Sequence, residues 1–375
     1  MPRHIILLLA ILLSGESFGQ LRLSLIIKNL PSYHRPDDSI FVTGSFCGWD
    51  PALPSMRLRP RDGKPGITIE LPKGMFEYKF TRGDWDRVES SKKGTPTQNR
   101  NIQLESDTTV EVSIEHWADH FPKQPKQSTA SPNVHVIDTA FFIPQLQRPR
   151  RIWIYLPPNY ASSADRYRVI YLQDGQNVFD QASAAYGEWG VDEAMDSLGE
   201  QAGYCILVAV DNGGERRINE YAPYDMERFG RGEGKEYVDF LAHTLKPFID
   251  AGYRTLPQPE NTYVAGSSMG GLISLYAMLR HPSVFGGAGI FSPAFWVNPQ
   301  IRDIDARKAR NLNGRLYFYA GEQESDQMVP DMLAVADSLR QHSGARIETV
   351  IRPEGRHDEA SWRTEWENFY RWVMR

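Results

Sequence analysis

Two cysteines in 375 residues, Cys47 and Cys205, are too few and too far apart in sequence for a disulfide framework, and they exclude a cysteine-rich metal cluster. A basic excess is also missing. Lys and Arg number 42 against 47 Asp and Glu, a formal net charge of −5, so neither nucleic acid nor an anionic membrane is an expected partner. The apolar run at residues 5–13 is too short to cross a bilayer of about 30 Å as a helix. No internal repeat is evident. What is there is a globular composition, 41% hydrophobic and 24% charged, in a chain long enough for two domains.

Arg3 and His4 precede that apolar run, and Ser14, Gly15, Ser17 and Gly19 follow it. A charged start, a short apolar middle and a small-residue exit make a secretory signal. Residues 1–19 are therefore expected to be removed as a signal peptide, leaving a secreted or periplasmic protein with no stable membrane insertion. An uncleaved anchor is the competing reading. Residues 20–118 open on the alternation Leu21, Leu23, Leu25 and continue with short β-rich runs at 40–42, 67–71, 75–80 and 110–114, separated by glycine and proline. That spacing predicts an all-β, immunoglobulin-like sandwich. Residues 119–133 turn to Pro, Lys, Gln, Ser and Thr without periodicity and are expected to form a linker.

From 134 to 375 the pattern changes. Apolar strands are predicted at 151–156, 168–172, 206–210, 262–265, 287–291, 316–320 and 347–351, and helices at 191–198, 236–249, 270–280, 330–342 and 361–374. Near-continuous apolar strands with helices between them predict an α/β domain with a mostly parallel sheet, covered on both faces.

Gly266-Ser267-Ser268-Met269-Gly270 lies between one of these strands and the next helix, and only Ser268 has glycine two positions away on each side. This is a nucleophile elbow: the serine backbone is strained, and its neighbours must lack side chains for the turn to close. The amide of Met269 then stands at a helix N-terminus, ready for an oxyanion. A serine nucleophile needs a base held by an acid, in the chain order Ser, acid, His. His281, His342 and His357 follow Ser268. The first two end helices, where a capping or cationic role explains them. His357 falls in a loop after a strand, at the sheet edge where the base must sit. The acid is expected in Gly321-Glu322-Gln323-Glu324-Ser325-Asp326. Glu324 leaves enough chain to turn back over the sheet edge, and Asp326 stands second. A second oxyanion amide is expected from Gln173-Asp174-Gly175-Gln176-Asn177, with Gln176 as the donor, although Asp-Gly is also a common turn pair.

Residues 134–375 resemble the esterase-D type of esterase, an α/β-hydrolase family that includes feruloyl, acetyl-xylan and siderophore esterases. The resemblance rests on Trp153-Ile154-Tyr155-Leu156-Pro157-Pro158-Asn159-Tyr160, on Tyr171-Leu172-Gln173-Asp174-Gly175-Gln176-Asn177, on the glycine-flanked serine, and on Gly355-Arg356-His357-Asp358-Glu359. It implies ester hydrolysis through Ser268, Glu324 and His357. Gln173 departs from the pattern, since many relatives carry a histidine there. Val42-Thr43-Gly44-Ser45-Phe46-Cys47-Gly48-Trp49-Asp50-Pro51 and Gly74-Met75-Phe76-Glu77-Tyr78-Lys79-Phe80, followed by Trp85, are similar to starch- and glycogen-binding modules. That similarity implies carbohydrate binding by Trp49, Trp85 and Lys79, with an α-glucan as ligand; packing of both indoles into the core is the competing reading.

Other signals are weaker. His116 and His120 have the i, i+4 spacing of a helical metal pair but no third ligand, so no metal or other cofactor is expected. Arg217 and Glu220, after a strand end, contact substrate or belong to a solvated charged loop. Trp296 lines an acyl pocket or packs in the core. The expected activity is that of a secreted serine esterase acting on acetyl, feruloyl or similar esters of a carbohydrate-linked substrate. The alternatives are a glycan-binding protein with a non-catalytic hydrolase-like domain, or an acyltransferase to a sugar acceptor.

Overall fold

The computed structural model describes residues 20–61, 63–122, 126–185, 187–302 and 309–375; the expected signal segment lies outside them. Along the chain it divides into two compact units, Met1–Lys123 and Gln124–Arg375. Among the described residues no helix is long and apolar enough to cross a membrane.

The first unit contains strands β1 (Leu21–Asn29), β2 (Phe41–Gly44), β3 (Arg59–Arg61), β4 (Lys64–Leu71), β5 (Gly74–Thr81), β6 (Glu89–Ser90), β7 (Arg100–Leu104), β8 (Thr108–Ser113) and β9 (His116–Trp117). One sheet has the order β3-β4-β1-β8 and another the order β2-β5-β7. Leu23, Leu25 and Ile27 point to one face of β1 because side chains alternate along a strand. That face meets Val42, Phe80 and Leu104 of the second sheet in a single core, with Trp117 fully buried among them.

His116 lies in β9 and His120 in the 3-10 turn Ala118–His120. The helix that would have made them a chelating pair is absent there, and the Tyr33 ring stacks on His120 at 3.5 Å. The linker expectation also changes. Ser128 Oγ and Thr129 N donate to Asp180 at 3.0 and 3.1 Å, Ser131 N to Asp192 at 2.7 Å, and Asn133 Nδ2 to Asp196 at 2.9 Å. The polar residues of 126–133 are donors to carboxylates of the second unit, so this stretch is fastened to it rather than left as a spacer.

The second unit holds β10 (Val134–Ile143), β11 (Arg148–Tyr155), β12 (Arg168–Leu172), β13 (Cys205–Val210), β14 (Thr262–Ser267), β15 (Gly287–Phe291), β16 (Arg315–Gly321) and β17 (Arg346–Arg352). They form one sheet, in the order β10-β11-β13-β12-β14-β15-β16-β17. From β13 across to β17 every pairing is parallel, while β11 runs antiparallel to β13 and to β10. β10 was not among the predicted strands. Its register shifts at Val136/Asp138 and Asp138/Phe141, and these irregularities break the period-2 signal.

Helices α1 (Val191–Ala202), α2 (Arg217–Glu220), α3 (Gly234–Phe240), α4 (Lys246–Gly252), α5 (Met269–Arg280), α6 (Met328–His342) and α7 (Glu359–Met374) cover this sheet, with α3 joined to α4 by a π-helical stretch, Leu241–Leu245. Two cores result. Tyr171, Val264 and Phe318 pack with α3, α5 and α6, whereas Leu172, Ala265 and Tyr319 pack with α1 and α7. Neighbours in sequence thus fall on opposite faces, which is why the central strands read as near-continuous apolar runs. Trp366 of α7 is fully buried in the second core. Trp366→Ala is expected to lower the unfolding free energy by about 3–5 kcal/mol, read as a shift in the denaturant midpoint; a loss under about 1 kcal/mol contradicts this packing.

Candidate active site

Because β12 to β17 are parallel, the loops that follow them collect at one sheet edge, where α/β proteins place their sites. Ser268 occupies the corner between β14 and α5 with φ 56° and ψ −120°, a conformation rare for a residue with a Cβ. Its N–H donates to the Phe291 carbonyl at 2.9 Å, and its carbonyl accepts from Ala294 N–H at 3.0 Å. A Cβ at Gly266 would stand 2.8 Å from Gln173 Cγ, and one at Gly271 would stand 2.9 Å from the Phe291 carbonyl oxygen. The flanking glycines therefore permit close approach to the neighbouring strands. Ser268 itself is half-buried.

His357 Nδ1 lies 2.7 Å from Glu324 Oε2, and the Glu324 side chain is almost fully buried. Its other oxygen accepts from Ser292 Oγ and from Gly321 N–H, both at 2.7 Å. Those donors satisfy the buried carboxyl, and its contact with Nδ1 favours the tautomer that carries the hydrogen on Nδ1 and the lone pair on Nε2. Trp362 Nε1 donates to Ser292 Oγ at 2.8 Å, and the Trp362 ring meets His357 edge-on at 5.1 Å. The loops after β16 and β17 are joined directly, Gln323 N–H to the Gly355 carbonyl at 3.0 Å. Ser292 is the node of this arrangement: Phe291 and Ala294 on either side of it bond Ser268, while its hydroxyl bonds the acid. Glu322 and Asp326 are exposed.

Met269 is the first residue of α5, so its N–H has no acceptor within the helix. Gln176 sits in the 3-10 turn Gly175–Asn177 that follows β12, and a Cβ at Gly175 would press on the β13 backbone at 2.9 Å. Asp174, just before that turn, has φ 56° and ψ 47°. Arg217 grips its carboxylate with Nε and Nη2, at 2.5 and 2.8 Å. Glu220 is fully buried and bonds Arg148 and Arg150. Neither residue belongs to a solvated loop. Trp296 is 47% exposed, so core packing does not account for it.

Ser292, Trp362 and Glu359 escaped sequence reasoning. The first two carry only a strand-end position and a helical spacing as signals, and both serve structure elsewhere just as often. Glu359 opens α7; burial pushes its carboxyl up to about 7, with Asp358 and Asp174 adding to the rise and His357 opposing it.

In the first unit the Trp49 and Trp85 rings are neighbours, with centroids 6.4 Å apart and planes at 37°. Both are half-buried and neither is part of the core, so core packing does not explain them. Lys79 on β5 is half-buried too; burial pulls its ammonium below the usual lysine range, against Glu89 and Glu77. Asp239, His243 and His281 bring ligand atoms within 4.8 Å of one another. Both Asp239 oxygens already accept from Arg280, at 2.7 and 2.9 Å, which leaves little uncompensated charge for a metal ion.

The model of the Putative esterase family matches residues 143–370, which hold β11 to β17 and the loops that carry Ser268, Glu324 and His357. The chain belongs to that family. It is a carboxylic ester hydrolase. The esterase is 28% identical over 253 residues to the iron(III) enterobactin esterase of Dickeya dadantii, covering 61% of this chain and 53% of that protein. It is 24% identical over 217 residues to an endo-1,4-beta-xylanase/feruloyl esterase of Xylanibacter ruminicola, covering 56% of this chain and 27% of that one. The crystal structure of the BES protein of Bacillus cereus superposes with a TM-score of 0.55 at 19% identity, over 68% of this chain and 99% of that chain, and the fold is accordingly α/β-hydrolase-like.

Two outcomes follow for the esterase. Gly266→Ala is expected to lower both the melting temperature and the turnover, because the new methyl meets Gln173 and the Gly270 backbone; a variant with unaltered melting and rate contradicts the close approach. The raised Glu359 carboxyl favours the folded state fully below about 4.5, and that contribution is lost as pH climbs through about 7. Glu359→Gln is thus expected to be more stable than the parent by about 3 kcal/mol near pH ~8, with the gain vanishing near pH ~4. Denaturant titrations at both pH values check the sign.

Proposed function

We propose that the protein is an extracytoplasmic serine esterase that cleaves acyl groups, acetyl, feruloyl or similar, from a carbohydrate-linked substrate. The observation that carries the catalytic part is the His357–Glu324 pair at 2.7 Å, linked through the Ser292 segment to a serine in the strained elbow conformation. Ser268 Oγ attacks the ester carbonyl while His357 Nε2 takes its proton. The oxyanion that forms is held by the amides of Met269 and Gln176. His357 then gives the proton to the departing alcohol, leaving the acyl group on Ser268. Water, deprotonated by the same imidazole, releases the acid and restores the serine. Glu324 keeps the imidazole oriented and supports its positive charge.

The carbohydrate part rests on the first unit. Two adjacent, half-exposed indoles suit the C–H face of a pyranose, and Lys79 offers hydroxyl-directed donors. An α-glucan is the proposed ligand of Trp49, Trp85 and Lys79, with the signal segment 1–19 delivering the chain outside the cytoplasm. The name of the Xylanibacter relative, which includes a feruloyl esterase, favours a feruloyl ester. Acyl transfer to a sugar acceptor uses the same residues and differs only in what attacks the acyl-enzyme.

Ser268→Ala is expected to abolish turnover of p-nitrophenyl acyl esters; retained activity removes Ser268 from the mechanism. Glu324→Ala is expected to cost at least about a hundredfold in kcat and Asp326→Ala little, and the reverse order would reassign the acid. On an immobilised α-glucan, Trp49→Ala with Trp85→Ala is expected to elute ahead of the parent protein, and identical elution rejects the glucan proposal.

A further inference from the structure

The turn that offers Gln176 has two backbone bonds of its own, Asn177 N–H to the Asp174 carbonyl at 2.8 Å and Val178 N–H to the Gly175 carbonyl at 3.2 Å. Asp174 is in the left-handed region, and a single 3-10 turn follows it. Ser183 Oγ donates to the Gln176 carbonyl at 2.7 Å and Trp189 N–H to the Asn177 carbonyl at 2.8 Å, and five further bonds reach the turn from a single segment. Asp174 N–H donates to Tyr221 Oη at 3.2 Å. Asp174 Oδ1 accepts from Asn212 Nδ2 at 2.7 Å and from Arg217 Nε, while Oδ2 accepts from Arg217 Nη2. Gln176 Oε1 accepts from the Asn212 N–H at 3.0 Å. Asn212, Arg217 and Tyr221 all come from the segment after β13. That segment is itself anchored where Glu220, at the end of α2, bonds Arg148 and Arg150 of β11.

Charge makes the same arrangement necessary. Asp174 Oδ2 lies 3.2 Å from where a Cβ on Gly270 would be, so its carboxylate stands against the first turn of α5. An uncompensated negative charge there opposes the oxyanion that forms on the Ser268 adduct. A bidentate guanidinium cancels that charge and fixes the plane of the carboxylate in one contact.

We propose that Arg217, with Asn212, is a positioning residue for catalysis: it clamps and neutralises Asp174, and so holds the Gln176 amide where the oxyanion develops. This rests on the reading of Gln176 as an oxyanion donor. The clamp touches no substrate atom, so its loss is expected in kcat rather than KM.

The test compares p-nitrophenyl acetate with its thiono analogue, whose sulfur accepts hydrogen bonds weakly and gains little from an oxyanion site. In Arg217→Gln and in Asn212→Ala, kcat on the oxygen ester is expected to fall by about ten- to hundredfold with KM within about twofold. The ester/thionoester rate ratio is expected to fall with it. Melting temperatures recorded alongside identify any unfolded variant, and two variants on different elements keep the test open if one of them fails to fold. An unchanged ratio, whether both substrates slow equally or neither slows, overturns the clamp. Gln176→Pro, which deletes the amide hydrogen itself, separates the two claims. If the ratio collapses in Gln176→Pro but not in Arg217→Gln, the oxyanion reading stands and the clamp is wrong. If Gln176→Pro leaves the ratio unchanged, the oxyanion reading fails and the clamp with it.

Discussion

A serine at φ 56° and ψ −120° is held there by its surroundings, because the local backbone resists that conformation by about 1–3 kcal/mol. At Ser268 the restraint comes from three directions. β14 is paired on both sides, by β12 and β15, so the strand cannot rotate to relax its last residue. The Ser268 carbonyl accepts from Gly271, Leu272 and Ala294, which ties the corner to the start of α5 and to the loop after β15. Glycine at 266, 270 and 271 lets these parts approach to distances a side chain would forbid. The corner exists because the fully buried central strands β14 and β15 are rigid enough to impose it.

The same rigidity explains how the other groups are brought in. Glu324 is a buried carboxylate and is tolerable only because Ser292, Gly321 and His357 all satisfy it. Ser292 lies between Phe291 and Ala294, whose backbones bond the elbow, and its hydroxyl, to which Trp362 also donates, bonds the acid, so the two halves of the candidate triad are registered through one short segment. On the opposite flank Asp174 and Arg217 form an ion pair against the start of α5. A positive φ recurs at Asp174, Ser268 and Ser292, each at the C-terminal end of a parallel strand. Strain gathers at this edge because chains leaving adjacent parallel strands must turn sharply there to reach the helices on either face.

The sequence carried the elbow plainly, since glycine two positions either side of a serine, between an apolar strand and a helix, has a steric reason to be there. His357 was separable from His281 and His342 by its place after a strand. Glu324 could only be ranked over Asp326; what distinguishes it is burial, which no residue type announces. The β10–β11 hairpin was hidden by register shifts, and residues 126–133 read as a spacer because their hydroxyl and amide side chains look alike whether they face water or Asp180 and Asp196. Arg217 read as solvated because its partner is 43 positions away.

Local chemistry alone determined the alternation of strands and helices, the strained serine and the histidine after the last strand, because steric and periodic constraints act between near neighbours. Which carboxylate meets that histidine, which hydroxyl satisfies that carboxylate, and which guanidinium holds the turn after β12 were decided only by the tertiary structure. Those contacts depend on which loops the parallel order of the sheet sets side by side, and hydrogen bonds between residues tens of positions apart leave no periodic trace in the chain.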